Sequence, residues 1–325
     1  MSPATRPTLL AVAVAVALPA AGCGGDSDPA PEGQAAAPPA AAFPKAGGRT
    51  LEELVAEATP TNDIVASPSG VVFEPGDQRF GFGLFQVDRT QIPDAEIAIY
   101  AAHGAGGRAL GPFPARIESM ETEPEFVAQT TADDPDAAQV VYVADVPFAQ
   151  TGEWRLLALI REDDGLLAAV LPSVVVSEHP RIPDTGEPAP SVHTPTAAEV
   201  GGDVAVIDTR VPVGTMHEDD LADVLGKEPV VLLFATPALC VSRVCGPVVD
   251  VAEQVKAETG DDVAFIHNEI YENNQPPKLR EQVRAYGLES EPWLFVIDED
   301  GRVSTRIEGA FGLGELEQAV QKVLS

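Results

Sequence analysis

Cys240 and Cys245, five residues apart, are the pair whose type and spacing hold the most chemistry. The chain has three cysteines in all, too few for a disulfide scaffold or a four-thiolate zinc site. Within one regular helix, five residues advance ~7.5 Å and turn ~500°, leaving the two side chains roughly 140° apart. A disulfide needs Cα atoms within about 7 Å. If the two bond, Cys240 belongs to an irregular turn and Cys245 to the first turn of a helix. Pro237, which cannot extend a strand ladder, favours such a turn. Backbone N–H groups at the helix start, and the nearby cation of Arg243, would then stabilise a Cys240 thiolate. Cys240 becomes the better nucleophile and Cys245 its resolving partner.

The elements that must position this pair are legible on both sides of it. Residues 229–235 form a wholly apolar run that reads as a central buried strand, and 245–258 reads as a helix. Around them the pattern predicts strands at 203–208, 263–268, 293–298 and 303–308, with helices at 218–225, 277–286 and 314–323. The Asp298-Glu299-Asp300-Gly301 turn predicts a hairpin between the last two strands. Alternating strands and helices ending in a hairpin and a helix give an α/β sheet with one antiparallel edge.

With those residues in place, 200–325 resembles a thioredoxin-like domain. The resemblance rests on Val230–Thr236 running into the turn that bears Cys240, on Pro247 near the start of the next helix, and on Glu291-Pro292-Trp293-Leu294-Phe295-Val296-Ile297. In that family the latter strand opens with a cis-proline facing the cysteines. The resemblance therefore implies that Pro292 presents backbone to a bound partner, with Thr236, Arg243, Glu291 and Trp293 as flanking contacts, although Trp293 reads equally as strand-face packing. It implies thiol–disulfide exchange with a protein thiol or disulfide and no cofactor. Two departures stand out. The family pair is C-x-x-C where this one is C-x4-C, and 230–235 lacks the buried proton-transfer carboxylate of thioredoxins.

Two other readings remain open for the pair. The domain also resembles Sco-type copper assembly proteins, which implies copper held by Cys240, Cys245 and His267; two thiolates and an imidazole suit that ion. Alternatively, the cysteines form a structural disulfide in a non-catalytic binding domain. Other candidates have plain expectations: Met216-His217 as a cap or loop, His179 and His193 as solvated residues of a Pro-rich connector.

Upstream, 60–179 is organised differently. Short β-rich runs at 71–73, 79–87, 96–102, 115–119, 140–146, 154–160 and 166–176, separated by Gly, Pro and Asp turn signals, predict an all-β immunoglobulin-like sandwich. Gly152-Glu153-Trp154 resembles the strand entry of such sandwiches, with Trp154 as a core plug. Its expected role is partner binding or spacing, and residues 180–199, rich in proline, read as a linker.

The amino terminus concerns location. Arg6 followed by the apolar run 9–18 has the length of a signal-peptide core, too short to span a bilayer. Pro19-Ala20-Ala21-Gly22-Cys23 resembles a lipobox, implying that 1–22 is a lipoprotein signal peptide and that Cys23 is lipidated. That places the chain on the extracytoplasmic face of a bacterial membrane, where disulfides persist. Residues 23–59, dominated by Ala, Pro and Gly, read as a disordered tether, with 50–58 able to form one or two helical turns. A net charge of −31 disfavours nucleic acid as a partner.

Overall fold

The computed structural model describes Met1, residues 33–163 and residues 165–325. Cys23 and the apolar run of the expected signal segment lie outside the described residues. No helix among the described residues is long and apolar enough to cross a membrane.

The all-β part consists of β1 (Gln34–Ala35), β2 (Thr59–Pro60), β3 (Ile64–Pro68), β4 (Gly76–Gln86), β5 (Ile97–His103), β6 (Leu110–Pro114), β7 (Arg116–Ser119), β8 (Val140–Phe148), β9 (Gly152–Glu162), β10 (Gly165–Val170) and β11 (Val174–Val176). Two sheets result. One has the order β1-β7-β8-β4-β3; the other runs β2-β10-β9-β5-β6, with β11 also on β9. They enclose one core, built from Phe80, Phe82, Leu84, Tyr142 and Phe148 on the first sheet and Ile97, Ile99, Trp154 and Leu156 on the second. Trp154 is buried there, edge-on to Phe148 with ring centroids 5.3 Å apart. In β4 the inward set is 80, 82 and 84, not 85. Phe85 instead lies over Gly83, where a Cβ would collide with its ring.

The tether expectation needs correction from residue 33 onward. Phe43, Leu51 and Leu54 are buried against Tyr100, Leu157 and Leu159, which point out of the second sheet. That sheet face is apolar and must be covered, so a segment of otherwise disordered composition is recruited to it. A one-turn helix, α1 (Leu51–Val55), starts at a capping box: Glu53 N–H donates to Thr50 Oγ1 at 3.3 Å and Thr50 N–H to Glu53 Oε2 at 2.8 Å. Tyr100 donates its hydroxyl to the Pro44 carbonyl at 2.5 Å.

β8 explains why the sandwich is not a free spacer. Its even positions, Val140 to Phe148, fill the sandwich core, while Val141 and Val143 point the other way. A strand apolar on both faces needs cover on both. After the short helix α2 (Gln129–Ala132), the chain supplies that cover from its carboxyl-terminal part, whose helices α4 (Cys245–Thr259) and α6 (Leu313–Leu324) pack onto Val141, Val143 and Met120. Ion pairs ring the contact. Arg79 donates to both oxygens of Glu315 at 2.6 and 2.7 Å, and Arg116 reaches Glu315 Oε1 at 3.0 Å.

The carboxyl-terminal sheet has the order β13-β12-β14-β15, from β12 (Val230–Phe234), β13 (Ala264–Asn268), β14 (Trp293–Ile297) and β15 (Val303–Glu308). β12 runs parallel to β13 and antiparallel to β14, and β14 is antiparallel to β15. This is the mixed sheet with flanking helices that a thioredoxin-like reading requires. Val231 and Leu233 face α4 and α6, whereas Val230, Leu232 and Phe234 face a second core with Tyr286 and Phe295. That second side carries α3 (Leu221–Val224) and α5 (Glu281–Ala285).

Three local expectations are corrected. Residues 203–208 contain a single 3-10 turn at Val204–Val206, not a strand. The helix expected at 277–286 begins only at Glu281, because two prolines precede it and Arg280 N–H bonds instead to the Ile270 carbonyl at 2.9 Å. The linker at 180–199 is no free connector. Ile182 and Ala189 are buried in the second core, and Gly186, Glu187 and Ala189 bond to the backbone of Gly301 and Val303 at 2.7–2.9 Å.

Candidate functional site

β12 delivers the chain into the cysteine turn. After Phe234 and Ala235, the Thr236 carbonyl accepts the N–H groups of Leu239 at 3.2 Å and Cys240 at 3.1 Å, closing a turn around Pro237. Val241 stands 93 % exposed at the tip. Cys245 is the first residue of α4, and the two cysteines are joined in a disulfide with Cα atoms 6.0 Å apart. Cys240 is half-buried and Cys245 fully buried. An incoming group therefore meets Cys240 first. Ser242 Oγ lies 3.1 Å from Cys240 Sγ, where its hydroxyl can donate to a thiolate.

The turn is clamped from the sandwich side. Arg243 adopts a left-handed φ of +61°, a conformation that costs a side-chain-bearing residue about 1–2 kcal/mol. Its guanidinium donates to Asp134 Oδ1 at 2.7 Å and Asp136 Oδ2 at 2.6 Å, and its carbonyl accepts the Ala138 N–H at 3.3 Å. The sequence reading gave Arg243 a thiolate-stabilising or partner-binding role. Two carboxylates neutralise it here, so it serves as a strut between the domains.

Opposite the cysteines, the Glu291–Pro292 bond is cis, and the Pro292 carbonyl is committed to the Gly309 N–H at 2.8 Å. Cys240 Sγ, Cys245 Sγ and a Glu291 carboxylate oxygen all lie within 4.8 Å of one another. Burial, and then the charge of nearby Glu269, push the Glu291 carboxyl up to about 7. A carboxyl that titrates near neutrality beside a thiol can exchange protons with it. Glu291, two residues before β14, thus sets beside the pair a titratable carboxyl of the kind that 230–235 lacks.

Of the two readings of Trp293 the structure favours packing, and the expected Thr236 side-chain contact is corrected. Trp293 is buried, donates Nε1–H to Ser290 Oγ at 2.9 Å, and stacks on Phe295 with centroids 5.7 Å apart; it is a core residue. Thr236 is fully buried and acts through its carbonyl.

His267 does not join the sulfurs. At the end of β13 it belongs to a separate buried cluster with Asp208 and His217, so the copper set of Cys240, Cys245 and His267 is not assembled. His217 Nε2 lies 3.1 Å from Asp208 Oδ2, and His267 Nδ1 lies 3.7 Å from Asp208 Oδ1. His217 is therefore no helix cap. Burial alone would raise the Asp208 carboxyl, but His267, His217 and the Arg210 N–H hold it far below the usual range. His267 is likewise depressed by burial yet held up at about 9 by Asp208. Sequence reading passed over Asp208, Glu269 and the Asp134/Asp136 pair. Each looks like an ordinary acid until the fold brings its partner to it.

No family model matches the chain, and no curated protein matches it. Among solved structures, the chain is similar to a putative thiol:disulfide interchange protein DsbE from Chlorobium tepidum, with 19 % identity over 44 % of this chain and 99 % of that one, at a TM-score of 0.32. It is also similar to a thiol:disulfide interchange protein of the thioredoxin family from Chlorobium tepidum TLS, with 20 % identity over 42 % of this chain and 96 % of that one, at a TM-score of 0.30.

Proposed function

We propose that this chain is a thiol–disulfide oxidoreductase acting through Cys240 and Cys245. The reading places it on the extracytoplasmic face of a bacterial membrane, anchored by lipid on Cys23, with the two-sheet domain as an immunoglobulin-like sandwich that braces the redox turn. The observation that carries the chemistry is an accessible sulfur bonded to a buried one at the start of a helix, with a neutral-pH carboxyl within 4.8 Å of both. No cofactor enters the reaction.

From the dithiol, the Cys240 thiolate attacks a disulfide sulfur of a protein partner. A mixed disulfide forms and one partner thiolate leaves. The Cys245 thiol then passes its proton to the Glu291 carboxylate and attacks Cys240 Sγ, closing the intramolecular disulfide and releasing the second partner thiolate. Two electrons pass from the dithiol to the partner; run backwards, the same steps oxidise it. The cis Pro292 segment supplies the backbone wall against which the partner lies.

The test is turnover of a protein disulfide by the purified, prereduced chain and by its Cys240→Ser variant. Loss of turnover in the variant supports the reading. Equal turnover, or a couple that mild dithiols fail to reduce, would instead make the disulfide structural.

A further inference from the structure

We propose that Asp208, His217 and His267 bind one divalent transition ion of the zinc class, in a site behind the redox turn and separate from its sulfurs. All three side chains are at most 3 % exposed, and one ligand atom from each lies within 4.8 Å of the others. Two imidazoles and one carboxylate are a borderline donor set. They suit Zn²⁺ and its neighbours, and not Ca²⁺ or Mg²⁺, which take oxygen.

The second observation is an unpartnered atom. His267 Nε2 sits 3.1 Å from the Ala235 carbonyl, an acceptor only, so that nitrogen carries the hydrogen. Nδ1 is then the nitrogen left for a proton or a metal ion; it is buried, lacks a hydrogen-bond partner, and faces Asp208 Oδ1 across 3.7 Å. That separation is too long for a hydrogen bond. Two atoms each about 2.0–2.2 Å from a common ion are separated by a similar span. Without an ion, a proton on Nδ1 supplies the positive charge between imidazole and carboxylate, and a bound ion takes that proton's place.

The surroundings are those of a ligand-orienting shell. The Arg210 N–H donates to Asp208 Oδ1 at 2.8 Å and the Gly214 N–H to Asp208 Oδ2 at 2.7 Å, fixing both oxygens. The backbone carbonyl on His267 fixes its tautomer. A Cβ at Gly214 would meet Asp208 Oδ2 at 3.2 Å and crowd Glu253 Oε1, so a side chain there would have to displace both carboxylates. The cluster also holds the redox turn from below. His267 anchors Ala235, and Thr209, next to Asp208, accepts the Ala238 N–H at 3.1 Å. An ion here would brace the segment that delivers Cys240 without touching its sulfur.

The experiment is refolding of the full chain with Zn²⁺, dialysis, and metal analysis, in parallel for the wild type, the Cys240→Ser/Cys245→Ser double variant, and His217→Gln. The expected result is about one zinc per chain in the first two and about a tenfold or greater loss of retained zinc in His217→Gln. Retention near zero in the wild type overturns the site, as does zinc that disappears only with the cysteines. Co²⁺ substitution keeps the test decisive should His217→Gln fail to fold. Visible d–d bands without thiolate charge transfer support the histidine site, and thiolate charge transfer or no bands at all overturn it. The double variant lacks the redox pair, so these outcomes are independent of the proposed oxidoreductase activity.

Discussion

Two clusters of titratable groups lie under and over the same turn, and they differ in one respect above all. Cys240, Cys245 and Glu291 open toward solvent through half-buried Cys240 and Glu291, while Asp208, His217 and His267 are sealed. The open cluster can exchange protons and sulfur with a visitor. The sealed one can only hold, and what it holds is the backbone at Ala235 and, through Thr209, Ala238. Access, more than residue type, separates chemistry that turns over from chemistry that positions.

That contrast can be broken by exchanging the consequences of mutation. Asp208→Ala leaves two buried imidazoles without their carboxylate and should cost about 3–5 kcal/mol of unfolding free energy, read by denaturant titration. A loss below about 1 kcal/mol would mean that the cluster holds nothing. Glu291→Gln should leave the fold intact and slow dithiol oxidation by about a hundredfold, as removal of a positioned base does. In the wild type the rate should rise with pH through about 7, as Glu291 ionises, and the variant should lose that inflection.

The same carboxyl has a stability signature of defined sign. Its folded value is raised above the ordinary carboxylate range, so its favourable contribution is complete below pH ~4.5. The contribution declines as pH rises through about 7, and Glu291→Gln should remove that segment of the stability curve. Reducing the disulfide removes a short loop constraint worth about 2 kcal/mol, so the reduced chain should unfold at correspondingly lower denaturant. The smallest effect belongs to Ser242→Ala. Loss of one hydroxyl donor 3.1 Å from Cys240 Sγ should raise the thiolate pKa by less than about one unit, measured by alkylation rate against pH.

The two large parts of the molecule show the same contrast in their packing. The sandwich core is private to its two sheets, whereas the core around α4 also takes in Met120, Val141 and Val143 from the sandwich. The second couples the parts at the helix that begins with Cys245, and Val72 against the other carboxyl-terminal core and the Glu74–Arg306 pair couple them further. The Arg243 clamp on Asp134 and Asp136 extends that coupling to the turn itself.

Much of this was written in the chain's local pattern. The apolar run 230–234, the helix from Cys245 and the closing hairpin follow from periodicity and turn residues, because secondary structure is set by propensity and pattern over a few residues. The position of Cys240 in a turn before Cys245 followed from helix geometry once bonding was assumed. Other features had no local trace. Phe43, Leu51 and Leu54 sit in a composition that reads as disordered, and only the bare outer face of β5 and β9 makes them core. Glu291 reads as an ordinary acid before a proline, and Asp208 as one of many carboxylates in a chain of net charge −31.

The sequence by itself determined which segments would be strand or helix near the redox pair and which two sulfurs could meet. Tertiary structure alone decided which acids acquire unusual proton affinity and which histidines face a carboxylate. It also decided whether the sandwich stands apart. Local pattern is set by interactions a few residues long, whereas desolvation and charge pairing depend on what the fold brings from tens or hundreds of residues away.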